Sequence, residues 1–355
     1  MKLKKILAAA AASVMMFSLT ACNNGGTSGG SSAANGSDTA SVPTSSDNGT
    51  SSAASVYSGD KVFNIGICQL AEHPALDQAT QGFMDELKAK FGEDHIKFDT
   101  QNAQGEEANC TTIINNFIAA NVDLILGNAT SPVTVASNAT DKIPIVGTSV
   151  TDYASALGVK EGWSGKSGTN VTGTSDLAPI AEQEKLLLEL FPEVKKVGIL
   201  YCSAEVNSKY QANLFEEALK ADGIEYKEFT ATDANDIAST TQAAIGECDV
   251  LYIPTDNTFA KYTETVKNVV LPAKIPVIAG EEGICKGCGV ATLSISYYDI
   301  GTMAGDMAYD ILVNGKNPGE MEIQSAPKFT KKYNVEMCTE LGITAPASYE
   351  AIATE

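Results

Sequence analysis

Short runs of consecutive apolar residues alternate along this chain with longer stretches in which apolar positions recur every three or four residues. The first pattern fits strands buried on both faces of a parallel sheet, and the second fits amphipathic helices that cover such a sheet. Phe63 to Cys68, Asp123 to Leu126 and Ile143 to Gly147 are predicted strands. Between them, Leu76 to Phe91 sets Leu76, Ala79, Phe83, Leu87 and Phe91 along one helical face, and Cys110 to Ala120 has the same periodicity.

The set then recurs. Lys196-Val197-Gly198-Ile199-Leu200-Tyr201-Cys202 echoes the first strand, and Cys248-Asp249-Val250-Leu251-Tyr252-Ile253 echoes Val122-Asp123-Leu124-Ile125-Leu126. Lys274-Ile275-Pro276-Val277-Ile278 echoes Lys142-Ile143-Pro144-Ile145-Val146. The second echo is offset by 126 residues (249 minus 123) and the third by 132 (274 minus 142), so the chain is predicted to be two similar α/β lobes in tandem. Open parallel sheets bind ligands beyond the carboxyl ends of their strands. Each echoed strand runs into a polar loop there: Gln69 to His73, Gly127 to Ser131 and Thr148 to Asp152 in the first lobe, then Ser203 to Ser208, Pro254 to Thr258 and Gly280 to Gly283 in the second. Facing lobes would bring these six loops to one cleft.

The N-terminus has a different pattern. Lys2, Lys4 and Lys5 precede an apolar run from Ile6 to Phe17, too short to span a bilayer and of the form of a secretory signal. The run ends in Leu19-Thr20-Ala21-Cys22, which resembles the lipobox of bacterial lipoproteins and makes Cys22 the expected acylated first residue of an extracytoplasmic, membrane-anchored protein. From Asn23 to Asp60 the composition shifts to Gly, Ser, Ala, Thr and Asn. Such a segment has little to bury and serves as a tether with a mean span on the order of 30–35 Å. The expected organisation is a signal peptide over 1–21, a tether over 22–60, lobe one over 61–173, lobe two over 174–291, a return to lobe one over 292–318, and a tail returning to lobe two over 319–355.

Charge narrows the chemistry. All 24 basic residues are lysine, against 44 acidic ones, giving a formal charge of −20. Nucleic acid is therefore excluded as a partner by repulsion. With no arginine, a carboxylate would have to be held by backbone N–H groups, hydroxyls or lysine. The sequence has no Gly-x-Ser-x-Gly elbow, no phosphate-cradling loop and no His-Glu-x-x-His motif, and its two histidines are His73 and His95, so an enzyme is not expected.

Four separated motifs resemble a known family: Ile67-Cys68-Gln69-Leu70-Ala71-Glu72-His73-Pro74-Ala75-Leu76-Asp77, Asn170-Val171-Thr172-Gly173-Thr174-Ser175-Asp176, Tyr252-Ile253-Pro254-Thr255-Asp256-Asn257-Thr258 and Ser296-Tyr297-Tyr298-Asp299-Ile300-Gly301. They are similar to the substrate-binding lipoproteins of ABC importers, of the type I periplasmic-binding fold with Rossmann-like lobes, and more narrowly to the tryptophan/tyrosine transport system binding proteins. The resemblance implies three crossings between lobes, a monomer that closes around a small solute, and delivery to a permease and ATPase. An aromatic amino acid is the implied ligand. A sugar or nucleoside receptor, or a sensory binding protein on the same fold, is the alternative. Two places depart from the pattern: Glu161 to Ser167 near a crossing, and a Cys285-Lys286-Gly287-Cys288 loop.

The physical candidates for the amino-acid carboxylate are the helix start near Ala129, Thr130 and Ser131, with the hydroxyls of Thr148 and Ser149. For the ammonium, Asp256 is the first expectation and Glu205 the second. Gln69, His73, Asn128, Asn207 and Asn257 can donate and accept within a closed cleft, and the loops add Asp152 and Glu281. Tyr201, Tyr297 and Tyr298 are candidates to stack on an aromatic side chain, one of the three being expected to do so, and Trp163, the sole tryptophan, is a cleft wall or a surface cover. Cys68, Cys202 and Cys248 are expected as small core residues. Cys285 and Cys288 have the spacing of a local disulfide or half a zinc site; no metal or cofactor is expected.

Overall fold

The computed structural model describes residues 57–159 and 161–353. The signal segment, Cys22 and most of the tether lie outside the described residues.

The first lobe is built as β1 (Phe63–Gln69), α1 (Pro74–Phe91), β2 (Ile96–Asn102), α2 (Glu107–Ala120), β3 (Leu124–Asn128), α3 (Thr130–Ala139), β4 (Ile145–Val150), α4 (Tyr153–Ala156) and β5 (Val171–Ser175). The second follows as α5 (Ile180–Leu190), β6 (Lys196–Cys202), α6 (Val206–Ala221), β7 (Glu225–Ala231), α7 (Ile237–Ile245), β8 (Val250–Ile253), α8 (Asn257–Lys261), α9 (Thr263–Ala273), β9 (Val277–Ala279), α10 (Glu282–Cys288) and β10 (Ala291–Ser294). The chain then returns through α11 (Tyr297–Leu312) and β11 (Gln324–Ser325) before ending in β12 (Thr330–Tyr333), α12 (Val335–Leu341) and β13 (Glu350–Ala351).

The first sheet runs in the order β11-β5-β4-β3-β1-β2 and the second in the order β13-β12-β10-β9-β8-β6-β7. Every pairing is parallel except the antiparallel pair of β10 and β12. The fold is thus an α/β pair of lobes. The repeated strands β1 and β6, β3 and β8, and β4 and β9 take corresponding places in the two sheets. The duplication reaches a single side chain: Asp123 accepts from the Asn64 backbone N–H at 2.8 Å, and its counterpart Asp249 accepts from those of Lys195 and Lys196 at 3.0 Å.

The first crossing falls at 176–179 and the second at 295–296, each a few residues later than expected, because β5 and β10 stay in register with their neighbours to Ser175 and Ser294. β11 still pairs with β5, so the last crossing falls at 326–329 rather than at 319. α11 belongs to the first lobe, where it packs on α1 so closely that a Cβ on Gly82 would come within 2.2 Å of the Tyr298 carbonyl oxygen. Cys285 and Cys288 sit on α10 instead of in a loop, and both are buried free thiols. Neither a disulfide nor a metal cluster involves them among the described residues. No helix among the described residues is long and apolar enough to cross a membrane.

Candidate functional site

The carboxyl ends of β3 and β4 carry unusual backbone. Ala129 has φ 102° and ψ 170°, a region in practice reserved for glycine, and Ser149 has φ 56°. Such conformations cost about 1–3 kcal/mol each and persist where the surroundings enforce them. Here they join two strands to the turns beyond them. Ala129 is the N-cap of α3 and supplies no side-chain acceptor, so the first N–H groups of this helix keep their capacity to bind an anion. Beside them, the Ser149 hydroxyl and Asn128 Oδ1 are buried without a hydrogen-bond partner.

Other predicted residues of this lobe are committed internally. Gln69 Nε2 donates to the Ala71 carbonyl and to Asp77, both at 2.7 Å, while Gln69 Oε1 accepts from Thr80 at 2.6 Å. Asn128 Nδ2 donates to the Leu76 carbonyl at 2.8 Å and to Thr80 at 2.9 Å, which leaves Oδ1. Thr148 accepts from Thr174 at 3.0 Å. Thr130 is buried, and Ser131 lines the cleft described below.

The acidic residues predicted to receive an ammonium are caps. Asp256 accepts from the N–H groups of Cys202 at 2.7 Å and Phe259 at 2.8 Å, closing the start of α8. Burial and the nearby Glu205 charge push its carboxyl up to about 8. Glu205 accepts from the backbone of Asn257 and Thr258 and from the side chains of Asn257, Thr258 and Asn207. Glu281 accepts from the N–H groups of Gly283 and Ile284 at the head of α10, and burial pushes it up to about 7. Asp152 caps α4 by accepting from Ser155 N–H at 2.9 Å. Asn207 also donates to the Thr255 carbonyl at 3.1 Å. Asp256 and Glu205, expected to face the ammonium, thus hold their own loops through these oxygens, and Glu205 also lines the cavity between the lobes.

Asp176, just past β5 and absent from the predicted set, is a buried carboxylate that caps no helix. It is 5% exposed and accepts from the hydroxyls of Thr151 and Tyr297, each at 3.0 Å. Burial raises its carboxyl above the usual range, partly offset by those hydroxyls. Among the described residues no lysine is paired with it. Val150 is in register with Ser175 in this parallel pair, so Thr151 lies opposite Asp176 and Ser149 stands two residues further back, roughly 8 Å from Asp176.

Of the three tyrosines, Tyr297 alone reaches this place. Tyr201 donates to Glu228 at 3.2 Å within the second lobe, and Tyr298 lies on the surface with its hydroxyl on Asp85 at 3.2 Å. Trp163 is half-buried against the core of the first lobe.

The lobes touch across the cleft. His73 Nε2 lies 3.2 Å from Asn257 Oδ1, and Gln211 Nε2 lies 3.5 Å from the Thr151 hydroxyl. A cavity of about 380 Å³ opens between them, lined by Leu70, Ala71 and Ser131 from one side and Cys202, Glu205 and Asn257 from the other.

A model of ABC transporter substrate binding proteins matches residues 64–355. A tyrosine-binding protein of Clostridioides difficile (strain R20291) is 38% identical over 262 residues, covering 73% of this chain and 75% of the relative. Among solved structures, an ABC domain from Streptococcus pneumonia in complex with L-Trp superposes with a TM-score of 0.78 at 30% identity, over 82% of this chain and 100% of that one. The ligand-free, open structure of a substrate binding protein with adhesive properties from Clostridium difficile gives 0.64 at 35% identity, over 83% and 100%. The more similar sequence superposes less well, in keeping with lobes that are in contact here and open there. A glucose-galactose binding protein from Geobacillus stearothermophilus, at 15% identity and a TM-score of 0.57, shares the fold alone.

Proposed function

The chain belongs to the family of ABC transporter substrate-binding proteins, and from that premise we propose that it is the receptor of an importer for an aromatic amino acid. Proteins of this family act outside the cytoplasm, bind small molecules and work with ABC transporter components. The observation that carries the amino-acid reading is the pairing at the ends of β4 and β5. A free hydroxyl on Ser149 and the uncapped head of α3 offer donors for a carboxylate, while Asp176, buried with no lysine paired to it among the described residues, offers acceptors for an ammonium. A sugar offers neither charge, so Asp176 would stay uncompensated. The relatives that bind tyrosine and L-Trp support an aromatic side chain.

Closure is a hinge movement about the three crossings, driven by the higher affinity of the shut form for ligand. In our reading Cys22 carries the lipid, the tether keeps a monomer within reach of the membrane, and the shut form is handed to a permease and ATPase. The test is isothermal titration of the protein with tyrosine, tryptophan, phenylalanine, aliphatic amino acids, glucose and adenosine. Saturable binding of aromatic amino acids is the expected result; binding of sugar or nucleoside alone would overturn the reading.

A further inference from the structure

His73 ends the loop after β1 and is 6% exposed, yet its Nδ1 has no hydrogen-bond partner. Its protonation pattern follows from a chain of constraints that starts in the other lobe. The Glu205 carboxylate can only accept, so the group of Asn257 that lies 2.7 Å from it is the amide nitrogen. That fixes Asn257 Oδ1 toward His73, where it too can only accept. The ring atom 3.2 Å away, Nε2, must then be the donor. Burial keeps the imidazole neutral, against the opposing charges of Glu205 and Asp77. A neutral ring protonated at Nε2 leaves a bare lone pair on Nδ1. A buried acceptor of this kind is costly unless something donates to it.

Sheet order says which end of a ligand can do so. Along the carboxyl edge the strands run β5, β4, β3, β1. Asp176 follows β5, Ser149 is near the end of β4 and Thr130 follows β3, so the charged end of an amino acid occupies those three strands. His73 follows β1, about three strand spacings from β5, roughly 14 Å. A group near His73 is therefore the tip of the side chain.

We propose that His73 accepts a hydrogen bond from a donor at the tip of the ligand's aromatic ring, so that the cleft takes tyrosine or tryptophan and discriminates against phenylalanine. This rests on the aromatic amino-acid reading above. The phenol O–H and the indole N–H are both donors, and phenylalanine has none. Because Glu205 and Asn257 come from the second lobe, the acceptor is set only when the lobes shut, and Asn257 and Glu205 are positioning residues for it.

The experiment is titration of the full-length protein, and of its His73→Leu and His73→Gln forms, with the three aromatic amino acids. Tyrosine and tryptophan should bind the unaltered protein about ten- to a hundredfold more tightly than phenylalanine, the range set by leaving one buried acceptor unpaired. His73→Leu should bring the three affinities within a few fold of one another. His73→Gln, which keeps an acceptor, should retain part of the preference. Equal affinity for all three ligands in the unaltered protein, or an unchanged preference in His73→Leu, overturns the role of His73 while leaving the receptor intact. Binding of none of the three overturns the aromatic amino-acid reading and this inference together.

Discussion

Replacing Asp176 by asparagine separates binding from folding. In the ligand-free protein the Asp176 oxygens accept from Thr151 and Tyr297. Asparagine keeps one acceptor, and its NH2 group can donate to the other hydroxyl, which rotates to accept, so both contacts survive. Each is worth about 1 kcal/mol net, and the change in folding stability should stay within about 1 kcal/mol. Its sign is set by burial. The carboxyl is raised above its ordinary value of 3.8, so over the window from there to the raised value the folded protein holds a proton that the unfolded chain has lost. Stability then falls as pH rises through that window, and removing the titration should make Asp176→Asn neutral to slightly stabilising at pH 7. Binding behaves in the opposite way. Removing one member of a buried ion pair costs about 3–5 kcal/mol, and the remaining amide acceptor places the loss at about 3 kcal/mol, two orders of magnitude in Kd. Titration calorimetry with tyrosine and urea unfolding without ligand read the two quantities separately. A Kd within twofold of the unaltered protein, or weak binding explained by an equally large loss of stability, would refute the assignment of the ammonium to Asp176.

Asp256→Ala should lower stability by about 2–4 kcal/mol, because it uncaps α8 and strands the Cys202 and Phe259 N–H groups, while the ranking of ligands stays as it was; urea unfolding and a ligand panel check both halves. Asp256 and Glu281 rise on folding from 3.8 to about 8 and from 4.5 to about 7, so the folded state binds more protons across that interval and the ligand-free melting temperature should fall as pH is raised from about 5 to 8. A melting temperature that climbs steadily over the same range would contradict this. Ala129→Gly removes about 1–3 kcal/mol of backbone strain at the cost of about 0.4–1 kcal/mol of unfolded-chain entropy, so a gain of about 1 kcal/mol in urea unfolding is expected.

The duplicated strands were legible because each is apolar on both faces. Their echo extends to Asp123 and Asp249, which pin equivalent strand starts. β5 escaped the same reading: Val171-Thr172-Gly173-Thr174-Ser175 is fully buried but mostly polar, since its threonines bury their hydroxyls beside other strands and α11. With that strand unrecognised, Asp176 had no visible place at a strand end. The capping role of Asp256 was hidden for the reverse reason. A carboxylate at a loop tip three residues before a buried residue reads equally as a ligand contact or as an N-cap, and only the start of α8 at Asn257 decides between them. Backbone strain at Ala129 and Ser149 left no mark in the sequence at all.

The cross-lobe contacts also bear on how closure is balanced. The hydrogen bonds of His73 with Asn257 and of Gln211 with Thr151 join neutral partners at 3.2 and 3.5 Å. Neutral contacts of this kind return about 0.5–1.5 kcal/mol each after water is displaced, less at the longer distance. Together they form a latch of about 1–3 kcal/mol, a shift of roughly five- to a hundredfold in the balance of open and shut forms. Shutting without ligand would bury the Asp176 carboxylate with no lysine paired to it among the described residues and leave the Ser149 hydroxyl and His73 Nδ1 unpaired, which works against the latch. A ligand whose ammonium, carboxylate and ring donor meet those three groups reverses each penalty at once. The free energy that selects the shut form then comes from the ligand that fits it, and a solute lacking one of the three groups leaves one penalty standing.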